Sequence, residues 1–291
     1  MRPSFRSLCL WGLLGACLPA AAGQLVGGEF EYTVKPGDYL ILIGARFGQD
    51  PRRLAQDNAV PWDALIHPGQ KLRLNNRHIV PEALEDGILI NVPQRMLYLF
   101  RAGKLAAHYP VGLGRPTWPT PLGRRTIRSK EIDKEWQVPP SIQAEMRQAG
   151  EPVLTRVPPG PENPLGMHWM GLKPGWWGIH GTNAPASVYA FRSHGCIRLH
   201  PDDAADLFSR VRIGEPVDIV YRPVLLAQLP DGAVYLEVHR DIYGRGIDLW
   251  QAFRQAAEQA GLLDRLDRTL ASQAMTNGEG IAKRVGPRSL R

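Results

Sequence analysis

The feature that most constrains this 291-residue chain is a run of alternating apolar residues that begins at Gly87. Every second position is apolar in three consecutive stretches, residues 88–92, 97–99 and 105–111, with turn sequences between them. Alternation with a period of two is typical of half-buried β-strands. Several short strands joined by tight turns indicate a β-rich domain, not a doubly wound α/β fold. We expect this domain to span residues 87–222.

A second pattern, within residues 30–75, predicts a small domain of β-α-α-β order. A short strand and a Pro-Gly turn lead to Asp38, which is placed to cap a helix. Apolar residues continue at helical spacing until Gly48 ends that helix. A second helix is predicted over about residues 50–58, and residues 67–74 return as a turn and an alternating strand.

Residues 1–23 have the composition of an export signal. Basic residues come first, an apolar stretch at 8–18 is too short to span a bilayer, and three alanines follow at 20–22. We expect simple cleavage near the last alanine. Residues 14–17 also fit a lipoprotein box, in which Cys17 would carry a lipid anchor. No later stretch approaches the ~20 apolar residues of a membrane span.

The C-terminal part, residues 223–291, is expected to be an extension with a strand at 234–238 and one helix. Apolar residues of that helix step at amphipathic spacing: Leu249, Phe253, Ala256, Ala260 and Leu263. The last fifteen or so residues are polar and basic and are predicted to be disordered. The whole chain carries a net charge of +7, which favours an anionic partner such as nucleic acid, a membrane or an acidic wall polymer.

Cys196 is the cysteine that an exported protein would keep, because Cys9 and Cys17 lie in the signal segment. Without a partner it cannot form an internal disulfide, and a lone thiol of this kind is a candidate reactive group. The alternative is a buried cysteine that acts as a small apolar side chain. Its surroundings favour reactivity, because two histidines and two glycines lie within residues 179–199.

These residue types suit acyl transfer by a cysteine nucleophile. His180 is the candidate general base, and a neighbouring imidazolium would lower the thiol pKa from its ordinary value of ~8.5. The backbone N–H groups of Gly195 and Cys196 are candidates for an oxyanion hole. His194 either orients a partner or shapes the turn, and Ser193 is expected to fix the turn by a side-chain to backbone bond.

Three further residues, Arg198, Thr182 and Trp177, are candidates for substrate contact. The forked guanidinium of Arg198 suits a substrate carboxylate, although an ion pair with Asp202 or Asp203 is an equal alternative. Trp177, with the neighbouring tryptophans, either forms a wall of the cleft or packs in the core.

A zinc site is an alternative use of the same block, with four potential ligands: His180, His194, Cys196 and His200. The Cys-x-x-Cys pairs of common zinc sites are absent. The residues therefore favour a thiol nucleophile over a metal.

The block as a whole resembles the active site of the bacterial L,D-transpeptidases. His-Gly-Thr at 180–182 and Ser-His-Gly-Cys-Ile-Arg-Leu at 193–199 carry the likeness, with further segments at 112–115, 120–123 and 161–166. The β-α-α-β domain resembles a LysM domain, a module that binds N-acetylglucosamine-containing glycans. The implied fold is mixed: a small LysM domain, a β-rich L,D-transpeptidase domain with short helices, and a C-terminal helical extension.

Enzymes similar to this chain attack the bond between diaminopimelate and D-alanine in the tetrapeptide stem of peptidoglycan, and they release D-alanine. The resemblance implies that Cys196 forms the acyl-enzyme. The acceptor would be an amine of another stem, a lysine of a wall-anchored lipoprotein or a small amino acid, whereas water would give a carboxypeptidase. The resemblance also implies peptidoglycan and not nucleic acid as partner, acylation by carbapenems, no metal or organic cofactor, and a periplasmic location.

Two segments beside the block bear on how substrates are chosen. Phe191 stands where the related enzymes usually carry arginine, and Arg192 follows it, which leaves the acceptor preference open. The proline-rich residues 136–164 are expected to form a long loop, with one short helix near 142–148, that serves substrate access. A non-enzymatic wall-binding protein, in which the LysM domain does all the work, remains the alternative to an enzyme.

Overall fold

The computed structural model describes residues 23–286, in which a β-α-α-β unit comes first. Its elements are β1 (Leu25–Val26), β2 (Glu29–Thr33), α1 (Leu40–Phe47), α2 (Pro51–Asp57) and β3 (Lys71–Asn75). Strands β2 and β3 pair antiparallel, and the two helices bury Ile43 and Leu54 against Leu72. The predicted order of elements is confirmed.

The ends of α1 are set by two turns, one of which differs from expectation. Gly48 ends the helix in the left-handed conformation, with a φ of 75°, and its N–H donates to the carbonyl oxygen of Gly44. Asp38 does not cap the helix. Its carboxylate accepts from the N–H of Lys35 at 2.8 Å and from the hydroxyl of Tyr32 at 2.6 Å, so it holds the Pro-Gly turn instead.

An eight-stranded sheet forms the centre of the β-rich domain. The elements in chain order are β4 (His78–Ile79), β5 (Gly87–Asn91), β6 (Met96–Arg101), β7 (Lys104–Pro110), β8 (Leu113–Gly114), β9 (Gly123–Ile132), β10 (Trp136–Gln137), α3 (Pro140–Ala149), β11 (Arg156–Val157), β12 (His168–Lys173), β13 (Gly178–His180), β14 (Phe191–Ser193), β15 (Ile197–Arg198), α4 (Pro201–Arg210) and β16 (Pro216–Val220). The strand order in the sheet is β15-β13-β12-β9-β16-β5-β6-β7. Most neighbours are antiparallel, but β16 is parallel to β5 and β15 is parallel to β13.

The central strands are buried on both faces, which the alternating pattern did not predict. On one face Ile90 packs in a core that includes Leu207 of α4. On the other face Leu89 and Tyr98 pack with Val26, which comes from the N-terminal unit. The second face is therefore covered by a segment distant in sequence, so it needs apolar residues as well.

The C-terminal extension has a core of its own. Its elements are β17 (Val224–Gln228), β18 (Val234–Val238), α5 (Leu249–Gln259), α6 (Arg268–Asn277) and β19 (Lys283–Arg284). Leu236 of the sheet packs there with Phe253 and Met275 of the helices. The predicted inner face of α5 is partly wrong, because Ala257 is the second buried position and Leu263 lies beyond the helix with 47% of its surface exposed.

The basic C-terminus is built into the sheet up to residue 286, which corrects the prediction of a disordered tail. Strand β19 pairs with β18, and the apolar side chains of Ala282 and Val285 beside it are buried. Residues 287–291 lie outside the described part of the chain, as do the expected signal segment and Cys17. Among the described helices, none combines the length and the apolar character needed to cross a bilayer.

Residues 75–86, which connect the N-terminal unit to the large sheet, are packed between the three parts of the molecule. Strand β4 pairs with β1 and buries His78 against Glu237 of the extension. His78 Nδ1 lies 2.7 Å from Glu237 Oε1, and Nε2 lies 2.8 Å from the carbonyl oxygen of Gly48 in the N-terminal unit. The His78 ring therefore contacts the extension with one nitrogen and the N-terminal unit with the other, and it ties the two parts together.

The Glu237 carboxylate is fully buried and accepts four hydrogen bonds. The donors are the N–H of Ile79 at 2.6 Å, Gln94 Nε2 at 3.0 Å, and the rings of His78 and His239, each at 2.7 Å. Burial alone would raise the pKa of Glu237. The neighbouring histidines outweigh burial and lower the pKa to about 2. The carboxylate therefore remains ionised while it joins all three parts.

Replacement of this carboxylate should destabilise the fold in a pH-dependent way. The pKa of Glu237 falls from 4.5 to about 2 on folding. We expect Glu237→Gln to lower the free energy of unfolding by about 3 kcal/mol at pH 7. The stabilisation is present above pH 4.5 and is lost as the pH falls towards 2, so the difference between the two proteins should shrink at low pH. Urea unfolding at pH 7 and pH 3 measures both differences.

The exposed carboxyl of Glu258 on α5 supplies the control for this experiment. Glu258→Gln should unfold like the wild type at both pH values, since this side chain is surrounded by water. A Glu237→Gln variant whose loss of stability is the same at pH 7 and pH 3 would contradict the role given to the ionised carboxylate.

Candidate active site

The two segments of the histidine–cysteine block meet at one edge of the large sheet. Strand β13 ends at His180 and strand β15 begins one residue after Cys196. The two strands pair in parallel, with Ile179 opposite Ile197 and His180 opposite Arg198. Since the strands carry these residues, their positions are fixed by the backbone bonds of the sheet.

A cavity of about 580 Å³ lies over this edge. Five of the predicted site residues line it: Cys196, His180, His194, Ser193 and Arg198. The opposite wall comes from the proline-rich segment 136–142 and from Pro164 and Leu165. The 136–164 loop therefore lies beside the site, as predicted. The short helix predicted near residues 142–148 lies within α3 (Pro140–Ala149).

The turn before Cys196 is held by Ser193. Ser193 Oγ donates to the carbonyl oxygen of Cys196 at 2.6 Å and accepts from the N–H of Gly195 at 3.2 Å. Ser193 thus fixes the turn, as the sequence indicated. The Gly195 N–H is already bonded in this way, which argues against its expected role as an oxyanion donor and leaves the Cys196 N–H as the candidate.

Gly195 is required for two physical reasons. Its φ is +100°, a conformation that side chains with a Cβ rarely adopt. A Cβ at this position would also lie 2.9 Å from Trp177 Nε1. Trp177 therefore packs against the turn and is not among the residues that line the cavity, and its contact with substrate stays a prediction. Trp169 and Trp176 line the cavity instead.

Thr182 is also placed differently from expectation. Its side chain is buried, and its Oγ1 accepts from the N–H of Ala184 at 3.0 Å. It does not line the cavity. A short polar side chain after the Gly181 turn is used here to close the next turn, which is a common role for threonine.

His180 is a neutral base. Its Nδ1 donates to the carbonyl oxygen of Gly181 at 2.6 Å, so Nε2 carries the lone pair of the neutral ring. Burial, with the positive charge of Arg198 as a second cause, lowers the pKa of His180 to about 4. The ring stacks on Trp169 with centroids 5.6 Å apart, which fixes its plane.

The pKa of Cys196 is shifted in the direction opposite to the expected lowering. The thiol is half-buried, and burial raises its pKa above the ordinary value. A hydrogen bond from the backbone of Gly178 and the charge of Arg198 oppose this effect without reversing it. Because His180 is neutral at pH 7, the two groups rest as a thiol and an imidazole.

His194 joins the site to α3. Its Nδ1 lies 3.2 Å from Ser141 Oγ and its Nε2 lies 3.1 Å from Glu145 Oε2. Glu145 also forms an ion pair with Arg115. Both ring nitrogens are engaged with the wall of the cavity, so His194 orients α3 and is not a second base. None of the ten residues of α3 is buried.

Arg198 is a cation without a carboxylate partner. Among the described residues it forms no ion pair, and its Nε is buried without a hydrogen-bond acceptor. The alternative of an ion pair with Asp202 or Asp203 is therefore wrong, and Asp202 lies 3.5 Å from His200 instead. A buried donor without an acceptor, in the wall of a cavity, suits a ligand carboxylate.

The zinc alternative is not supported by the positions of its ligands. His200 caps α4 by accepting from the N–H of Asp202, and it does not line the cavity. Within residues 23–286, the ligand atoms that lie close enough to hold a metal ion belong to His78, Glu237 and His239, outside this site.

Comparison with known proteins identifies the family. The model of the L,D-transpeptidase catalytic domain, YkuD, matches residues 85–219, and the LysM domain model matches residues 32–75. The probable L,D-transpeptidase YbiS of Escherichia coli is 31% identical over 229 residues, which is 77% of this chain and 74% of that protein. The probable L,D-transpeptidase ErfK/SrfK of Escherichia coli is 32% identical over 231 residues, again 77% of this chain and 74% of that protein.

The chain belongs to the L,D-transpeptidase family of peptidoglycan enzymes and carries a LysM domain in front of the catalytic domain. This membership confirms both resemblances and the mixed fold. It also makes the chain an enzyme, so the alternative of a purely wall-binding protein is set aside.

The packing of Trp177 against the turn can be tested at Gly195. We expect Gly195→Ala to lower the free energy of unfolding for two reasons. Alanine is strained at this φ, and its Cβ overlaps the Trp177 ring. The overlap alone should cost about 1–3 kcal/mol. Gly150 at the end of α3 is a matched control, because its φ is +70° but no atom lies within 4 Å of its Cβ position. Urea unfolding of the two variants should show the larger loss for Gly195→Ala, and equal losses would contradict the contact with Trp177.

Proposed function

We propose that this enzyme uses the Cys196 thiol to cut the amide between diaminopimelate and D-alanine in a tetrapeptide stem. D-alanine leaves, and the thioester is resolved by an amine. The observation that carries this proposal is the shared cavity, in which the half-buried thiol lies with a neutral histidine and an arginine that lacks a carboxylate partner.

The neutral resting pair defines the order of proton transfers. As Sγ attacks the amide carbon, Nε2 of His180 takes the thiol proton, and the N–H of Cys196 is available to the oxygen that becomes negative. The imidazolium then gives its proton to the departing amino group of D-alanine. In the second half, the acceptor amine attacks the thioester and gives a proton to His180, which returns it to the sulfur.

Arg198 would bind a carboxylate of the stem peptide, because its charge is not neutralised by the protein. Its charge also favours the thiolate as it forms, since a nearby cation lowers the pKa of the thiol. The guanidinium thus contributes both to substrate orientation and to the nucleophile. The tryptophan and proline side chains around it limit the water that reaches the thioester.

The acceptor that resolves the thioester is the second component of the proposed reaction. We propose an amine, either of a second stem, which gives a cross-link between diaminopimelate residues, or of a lysine on a wall-anchored lipoprotein. Hydrolysis to a tripeptide is the alternative. Mass spectrometry of the products formed with each acceptor separates the three outcomes.

We further propose that the LysM domain holds the enzyme on the glycan strands of peptidoglycan in the periplasm. The support is the matched LysM domain together with the expected export signal. A lipid anchor on Cys17 is the alternative to a free mature protein, and intact-mass analysis of the mature N-terminus distinguishes the two.

Covalent labelling tests the nucleophile directly. We expect the mass of the wild-type protein to increase by that of one bound meropenem molecule, because carbapenems acylate the thiol in proteins similar to this one. Cys196→Ala should take up no meropenem and should release no D-alanine from muropeptides that contain the tetrapeptide. Intact-mass spectrometry and amino-acid analysis measure the two effects, and an adduct that persists in Cys196→Ala would refute the assignment.

The pH profile tests the base. His180 accepts a proton only when neutral, and its pKa is about 4. We therefore expect kcat/KM for D-alanine release to stay on its plateau from pH 7 down to about 5.5 and to fall as the pH approaches 4. An ordinary histidine, with a pKa near ~6.5, would already cost more than half of the activity at pH 6. A decline centred near pH 6.5 would contradict the neutral, buried base.

A further inference from the structure

Tyr243 of the C-terminal extension reaches the loop that supports the active-site turn, although the catalytic family model ends at residue 219. The hydroxyl of Tyr243 donates to the carbonyl oxygen of Gly114 at 2.8 Å and accepts from the N–H of Thr120 at 3.1 Å. These two residues are the ends of the segment 114–120, which we call the support loop. One hydroxyl therefore joins both ends of the support loop.

The support loop contacts the active-site turn and the wall of the cavity. The N–H of Arg115 donates to the carbonyl oxygen of Ser193 at 3.0 Å. The ring of Trp118 stacks on His194, with centroids 5.0 Å apart and planes 17° from parallel. The Arg115 guanidinium pairs with Glu145 of α3. The position of the support loop thus sets the position of the turn and of α3.

The support loop is tightly folded, so a shift at its ends is passed to its contacts. The N–H of Gly114 donates to Thr120 Oγ1 at 2.9 Å. A Cβ on Gly114 would overlap the carbonyl oxygen of Trp118. Only the backbone of a glycine fits inside this loop, and the Tyr243 hydroxyl closes it from outside.

Tyr243 is itself held by a chain of hydrogen bonds. Its N–H donates to the hydroxyl of Tyr221 at 2.9 Å, and that hydroxyl donates to Asp241 Oδ1 at 2.7 Å. The Tyr243 ring meets Phe191 edge to face, with centroids 5.8 Å apart. Phe191 lies on β14, the strand that ends at Ser193, and its ring supports the tyrosine.

We propose that Tyr243 is a positioning residue for acyl transfer, which acts through the support loop on the turn that presents Cys196. This inference rests on the proposed function. Without the hydroxyl, the Gly114 carbonyl and the Thr120 N–H lose their shared partner, and the loop ends are free to separate. The turn then presents the sulfur less accurately to the amide carbon, while Arg198, which strand β15 carries, remains in place.

The test uses Tyr243→Phe, which removes the hydroxyl and keeps the ring. We expect kcat for D-alanine release to fall about tenfold and KM to stay within about twofold, because alignment of the nucleophile is lost while binding is kept. Alkylation of Cys196 by iodoacetamide should keep its wild-type rate, since a small reagent does not require an aligned turn. Tyr235→Phe is the matched control: Tyr235 is a half-buried tyrosine on β18 whose hydroxyl makes no hydrogen bond within the described residues.

A double-mutant cycle checks the route through the support loop. Thr120→Val removes the acceptor for the Gly114 N–H and should lower kcat in the same manner, and Thr120→Ser should restore it. Because both changes release the same loop ends, the double variant Tyr243→Phe, Thr120→Val should lose little more kcat than the worse single variant. If the double variant instead lost kcat by the product of the two single-variant factors, the two residues would act independently and the shared route through the support loop would be overturned.

Other outcomes separate the inference from the function on which it rests. A Tyr243→Phe enzyme with the kcat of Tyr235→Phe, or with alkylation slowed by the same factor as catalysis, would overturn the positioning role alone. A wild-type enzyme that neither releases D-alanine nor reacts with meropenem would overturn the proposed function, and the inference with it.

Discussion

A buried carboxylate with four donors around it, that of Glu237, holds together segments that lie far apart in the chain. A charged group in the interior loses several kcal/mol of hydration free energy. It is therefore stable only where hydrogen-bond donors and opposite charges replace the lost water. Here His78 comes from 159 positions earlier in the sequence, and its other nitrogen reaches the end of α1. The LysM domain, the catalytic sheet and the extension therefore share one packed junction, and the LysM domain has a defined orientation with respect to the active site.

The chemistry at the other end of the sheet depends on a balance between burial and one unpaired cation. Burial keeps His180 neutral and Cys196 protonated, which gives a base and a nucleophile in their uncharged forms. Arg198 favours the negative sulfur but disfavours a second positive charge on the histidine. The site thus favours an anion that forms at the sulfur, and the unpaired guanidinium is available to a ligand carboxylate.

The sequence was sufficient to predict elements whose pattern depends only on residues close together in the chain. Alternating apolar residues predicted the strands from Gly87 onward, and the spacing around Cys196 predicted the residues that line the cavity. It was insufficient where contacts join distant segments. A tryptophan such as Trp177 has the same local pattern whether it faces a cleft or a turn, and the burial of His78 is visible only once Glu237 is placed beside it. The ordered tail was missed for the same reason, since β19 is stabilised by β18 and not by its own residues.

The helix α3 has a consequence for access to the half-buried sulfur of Cys196. None of its side chains is buried, and its contacts with the site are the polar ones made by Ser141 and Glu145. Such contacts contribute on the order of 1 kcal/mol each, and no core residue becomes exposed when they break. Separation of this wall from the site would therefore break polar contacts and expose no core residue of α3.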